Sequence, residues 1–164
     1  MKINLMATFI LLCASFGTQA QEATFTTQSL TPESALTAAQ AALAQCRKNG
    51  YQAAVTVVDK AGLTLVVLRD RYAGAHTVEV SANKAWTAVS FKTATAALAE
   101  ETQPGKPMSG LRNLPRFLAA GGGLMIEGAG VLLGGIGVSG APGGEADAAC
   151  AKAGIQAIAE SLEF

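Results

Sequence analysis

Leu36, Ala39, Leu43 and Cys46 recur at the three-to-four-residue spacing of one helix face. Thr31-Pro32-Glu33 precedes them and predicts the helix start: Thr31 can cap it, Pro32 suits the first turn, and Glu33 favours its positive end. Asn49-Gly50 predicts the stop, because glycine adopts the left-handed backbone that ends helices. The period then changes. Ala53–Val58 and Leu63–Leu68 are rich in β-branched residues and flank the turn Asp59-Lys60-Ala61-Gly62, which predicts an antiparallel hairpin. Arg69–His76 reads as a loop.

Helical spacing returns over Thr77–Phe91. Val78, Ala82, Ala85 and Val89 form one apolar stripe; Val80, Ala88 and Phe91 form part of a second, interrupted by Lys84. A helix that is apolar on two sides is expected to be covered on both, by the sheet and by a partner subunit. Thr93–Leu98 extends the helical region, Glu100–Gly110 is a polar loop, and Leu111–Ala119 forms a short helix around Pro115. A glycine-rich hairpin spans Gly122–Val138, and Glu145–Leu162 forms a closing helix. Helices alternating with paired strands imply an α+β fold: a single compact domain with a mainly antiparallel sheet packed with helices, and room for an unplaced fifth strand.

Residues 1–20 interrupt this picture. Lys2, the apolar stretch Ile3–Phe16, and the small residues Thr18 and Ala20 read as a signal peptide, with Gln21 opening the mature domain at 21–164. The apolar stretch is short for a membrane span, so no stable membrane insertion is expected, and the protein is expected to be periplasmic or otherwise secreted. Twelve Lys and Arg balance twelve Asp and Glu. With no basic stripe, nucleic-acid binding lacks electrostatic support. Cys46 and Cys150 fall on the first and last predicted helices. In an oxidising compartment they can pair; buried free thiols are the alternative, and a zinc site lacks its histidines.

Lys84-Ala85-Trp86-Thr87-Ala88, the run Gly121–Ile126, and Gly134-Gly135-Ile136-Gly137-Val138-Ser139-Gly140 followed by Asp147 occur in this order. In these blocks the chain resembles the GlcG/HbpS family, also seen as the C-terminal domain of PduO-type proteins. The family usually has proline where Met125 stands, a departure that leaves the fold intact. The resemblance implies a domain that assembles into homo-oligomers and, in several exported members, binds haem. Its association with glycolate use supplies the alternative: an accessory protein or enzyme for a small organic acid.

His76 is the only histidine, and its imidazole is a candidate haem-iron ligand. Tyr72 is an alternative oxygen ligand and Met108 a candidate second axial ligand through its thioether. Arg69, Arg71, Arg112 and Arg116 could pair with propionates, Arg71 first because it stands near His76 in sequence. Lys84 could bind an acidic ligand group, pair with Asp70, or lay its stem along the surface with its ammonium in water. Trp86 suits core or interface packing, or stacking on a flat ligand. Asp147 is expected to stabilise backbone N–H groups at its helix start. The glycines around Ser139 lack the lysine-serine ending of a phosphate loop and the strand-to-helix setting of a dinucleotide fingerprint. Ser139 has no nucleophile elbow, so no catalytic residue is assigned.

Overall fold

Thr31 Oγ1 accepts the Ser34 N–H at 3.2 Å, and helix α1 runs Pro32–Lys48 to an Asn49 cap. Gly50 follows at φ +79°, the left-handed backbone expected there. The computed structural model describes residues 22–163, so the leader expected at Met1–Ala20 lies outside the described residues. The buried face of α1 keeps Ala39, Leu43 and Cys46 of the predicted stripe and departs from it at Leu36. Ala35, Ala38, Ala39, Ala42, Leu43 and Cys46 are buried, whereas Leu36 is 40% exposed. Small side chains on that face let α1 approach the closing helix closely, and Leu36 turns outward. The two cysteines form the disulfide Cys46–Cys150, with Cα atoms 5.4 Å apart.

The first hairpin pairs β1 (Ala54–Asp59) with β2 (Thr64–Arg69). Asp59 Oδ1 sets the turn by accepting the N–H groups of Ala61 and Leu63, both at 2.9 Å. Helix α2 covers Thr77–Phe91, as predicted. It ends at Lys92 in the left-handed region (φ 49°), so the next helical stretch is a separate element, α3 (Thr95–Glu101). The helix predicted over Leu111–Ala119 does not form. A 3-10 turn at Ser109–Asn113 is followed by Pro115 and by Arg116 at φ 71°, neither compatible with a continuing helix.

Strands β3 (Gly123–Gly128) and β4 (Val131–Ser139) make the glycine-rich hairpin. The sheet order is β2-β1-β4-β3 with every neighbour antiparallel, and no fifth strand joins it among the described residues. The closing helix α4 stops at Gln156 (Gly144–Gln156), short of the predicted end. A separate 3-10 turn, Ala159–Leu162, folds Leu162 against Gly128 of β3.

The alternation in β4 explains the layers. Ile136 and Val138 join Val55 and Val57 in the main core with α1 and α4. Gly135 and Gly137 face the other way, onto α2. A Cβ at Gly137 would stand 2.7 Å from the Ala85 nitrogen, so the absent side chains are what let α2 lie against the sheet backbone. Thr56, on the same face of β1, joins Ser81 of α2 through a buried hydroxyl pair at 2.8 Å. The result is an α/sheet/α sandwich: α1 and α4 on one face, α2 on the other.

Candidate functional site

At the edge of this sandwich the end of β4, the end of α1 and the starts of α2 and α4 surround an open cleft of about 490 Å³. That volume is in the range of small-molecule sites. Tyr51, Tyr72, His76, Ser139 and Asp147 are among its lining residues.

The loop carrying Tyr72 and His76 is held at several points. Asp70, 4% exposed, accepts the Arg47 Nε–H at 2.7 Å through Oδ1 and the Ala53 N–H at 3.4 Å through Oδ2. Arg69 donates to the Ala73 carbonyl, and Thr77 Oγ1 donates to the Gly74 carbonyl at 2.7 Å. Tyr72 is 79% exposed at the rim. His76 stands at the entry of α2, and its side chain makes no capping hydrogen bond. The helix start is therefore not what fixes this imidazole. Gly74 makes room for the ring: a Cβ there would be 2.7 Å from His76 Cε1 and 2.9 Å from Nδ1.

Lys84 corrects its expected pairing. Its ammonium donates to Asp147 Oδ2 at 2.7 Å and to the Val138 carbonyl at 2.9 Å, not to Asp70, and the residue is 3% exposed. Its head is thus withdrawn from water as well. Asp147 Oδ1 accepts the Ala141 N–H at 3.0 Å, so the backbone group it serves lies in the loop before α4. Lys84 itself is not part of the cleft lining; Asp147 stands between it and the opening.

The remaining candidates are dispersed. Met108 is exposed before the 3-10 turn and does not line this cleft, so it is not assembled with His76. Arg71 is exposed beside the rim residue Tyr72 but outside the lining. Arg112 donates to the carbonyls of Thr102 (2.7 Å) and Ala99 (3.0 Å). Arg116 lies 5.0 Å over the Trp86 ring, and Trp86 packs on Gly62 of the first turn. Trp86 thereby serves packing rather than the cleft. Sequence reasoning missed Tyr51 and Gln52. Their one signal was an aromatic and an amide immediately after the Asn49-Gly50 stop, where the chain turns toward the sheet end.

Among the described residues no three His, Cys, Asp or Glu gather to hold a free metal ion. Haem asks for less, since the porphyrin supplies four nitrogens and the protein only axial donors. An imidazole and a phenol on one cleft, with the ring space at Gly74, fit that requirement. No described helix is long and apolar enough to cross a membrane.

Known proteins share this fold. HbpS from Streptomyces reticuli, solved as a double mutant, matches with a TM-score of 0.77 at 36% identity, covering 84% of this chain and 92% of that one. A heme complex of PduOC matches with a TM-score of 0.75 at 32% identity, over 79% of this chain and 95% of that one. The corrinoid adenosyltransferase PduO of Salmonella typhimurium is 35% identical over 103 residues, 62% of this chain and 31% of PduO. The chain thus spans about a third of that curated relative's length. The family described as "Haem degrading protein HbpS-like" matches residues 30–156, and the chain belongs to this HbpS-like family.

Proposed function

We propose that the protein is an exported haem-binding protein that serves haem sensing, storage or trafficking. One observation carries the reading: His76 and Tyr72, both side chains of the kind that ligate haem iron, line the same open cleft. His76 is the proposed iron ligand and Tyr72 the alternative donor. Arg71, beside the rim, is the cation nearest in sequence for a propionate. The solved heme complex of a 32% identical relative supports the ligand class. The leader pattern at Met1–Ala20 supports export, and so does the Cys46–Cys150 bridge, a bond that persists in oxidising compartments. Assembly into homo-oligomers is part of the proposal. Leu63 and Val67, exposed at the β2 edge of the sheet, are apolar surface of the kind subunit contacts cover.

The small-organic-acid alternative receives less support. Among the described residues no arginine or lysine lines the cleft, and the one carboxylate there, Asp147, is already committed to Lys84 and Ala141. A short acid held deep in the cleft would lie away from Arg71 at the rim and meet no lysine or arginine among the described lining residues.

Hemin titration of the purified protein checks the reading. We expect a saturable Soret shift at a fixed stoichiometry, and at least about a tenfold loss of affinity in His76→Ala, the scale of a lost interaction worth 1.4 kcal/mol. An unchanged spectrum and affinity in that variant removes His76 from the site. No optical response in the parent protein removes haem.

A further inference from the structure

The Lys84–Asp147 pair ties α2 to the end of β4 and to the start of α4 beside the cleft. Both side chains are almost fully buried, at 4% and 6% exposure, yet Asp147 lines the cleft. Its two oxygens are divided between Lys84 and the Ala141 N–H, which belongs to the cleft wall. Lys84 also holds the Val138 carbonyl at the end of β4. Gly122 seals the other side: a Cβ there would be 2.6 Å from Asp147 Cβ and 3.0 Å from Lys84 Nζ. The protein therefore keeps an ammonium directly behind the cleft surface and screens it with one carboxylate. Either charge alone would change which ligands the cleft admits, because an unpaired charge in a low-dielectric setting dominates its surroundings.

We propose that the Lys84–Asp147 pair is the charge selector of the cleft. It keeps the floor electrically neutral, so short free carboxylates are refused and a large planar ligand that keeps its carboxylates in water is accepted. The inference rests on this cleft being the ligand site and specifies the ligand class that site discriminates. Asp147→Asn preserves the shape and the acceptor for Ala141 while unmasking the ammonium. Lys84→Met preserves the stem and leaves the carboxylate unpaired. The two changes have opposite electrostatic signs, although each breaks the same contact.

The test is calorimetric titration of both variants and the parent with glycolate, and optical titration with hemin, alongside thermal melts. Asp147→Asn is expected to bind glycolate at least about tenfold more tightly than the parent, an effect that added salt weakens. Hemin affinity should fall in both variants, because laying a porphyrin face over an unpaired charge of either sign costs its solvation, so the gain in glycolate binding is the discriminating readout. A purely structural pair predicts something else: both variants lose thermal stability and hemin affinity together, and neither gains glycolate. A cooperatively melting Asp147→Asn that binds glycolate no better than the parent overturns the proposal. If Asp147→Asn does not fold, Lys84→Met is compared with the double variant Lys84→Met/Asp147→Leu, in which the floor is again uncharged. Weaker hemin binding by the single variant than by the double one supports the selector, and equal binding overturns it. Failure of the parent to bind hemin would defeat the haem reading alone, because the glycolate titration needs no haem.

Discussion

Gly74 and His76 show how much of the site depends on single atoms. The imidazole occupies space that a Cβ on residue 74 would enter, at 2.7 Å from Cε1. Gly74→Ala should push the ring aside at the exposed end of a flexible side chain. We expect stability to change by less than about 0.5 kcal/mol, as for ordinary surface substitutions, while hemin affinity falls by about tenfold, one pKa-unit equivalent of free energy. Paired melting and Soret titrations check this, and an unchanged affinity would show that the present ring position is not the binding one. At this scale the sequence was partly legible. A lone histidine before a helix was visible as a candidate, and the structure puts it on a cleft. The role of Lys84 was not legible, because its partner stands 63 positions later and proximity in the chain pointed to Asp70 instead.

The elements were read best where periodicity and punctuation agreed. Thr77–Phe91 and the Ala54–Arg69 hairpin follow the apolar spacing and the Asp59–Gly62 turn. The reading failed at Leu111–Ala119, where Pro115 and the left-handed Arg116 replace a helix with a turn stacked on Trp86. On α1 the stripe held at Ala39, Leu43 and Cys46, which are buried, and departed at Leu36 alone. Alanines, rather than the larger Leu36, face the neighbouring helix, and hydrophobicity alone ranks those residues in the wrong order. The glycine-rich strand yields a sharp prediction at this scale. Gly137→Ala places a methyl group against the Ala85 nitrogen and the Ser81 carbonyl of α2, which are backbone atoms that cannot step aside separately. A loss of about 3 kcal/mol is expected, at the upper end for overpacking, measured as a lower denaturant midpoint. A neutral result would mean that α2 and β4 separate easily.

Over the whole molecule, the disulfide joins the two helices that end and begin at the cleft. Cys46 lies five residues before Tyr51, and Cys150 three residues after Asp147. It spans 104 residues, and closing a loop of about that length is worth roughly 4–5 kcal/mol on the chain-entropy estimate. Thermal melts with and without reductant, and of Cys46→Ala/Cys150→Ala, should show a large drop in midpoint; coincident curves would mean that the bridge adds nothing to stability. The α+β class and the antiparallel sheet were legible because each element declares itself locally. The cleft was not, since residues near positions 51, 72, 140 and 147 meet only after the sheet has closed. The family motif reaches the cleft through Ser139 and Gly140, whereas its glycines at 135 and 137 serve helix packing.

The lone tryptophan has a use of its own. Trp86 sits ten positions beyond His76 on α2, a rise of about 15 Å at 1.5 Å per residue. Porphyrins absorb where indole emits, and over that separation they drain its excited state efficiently. Were haem bound at His76, darkening of this one indole would report its occupancy without a dye.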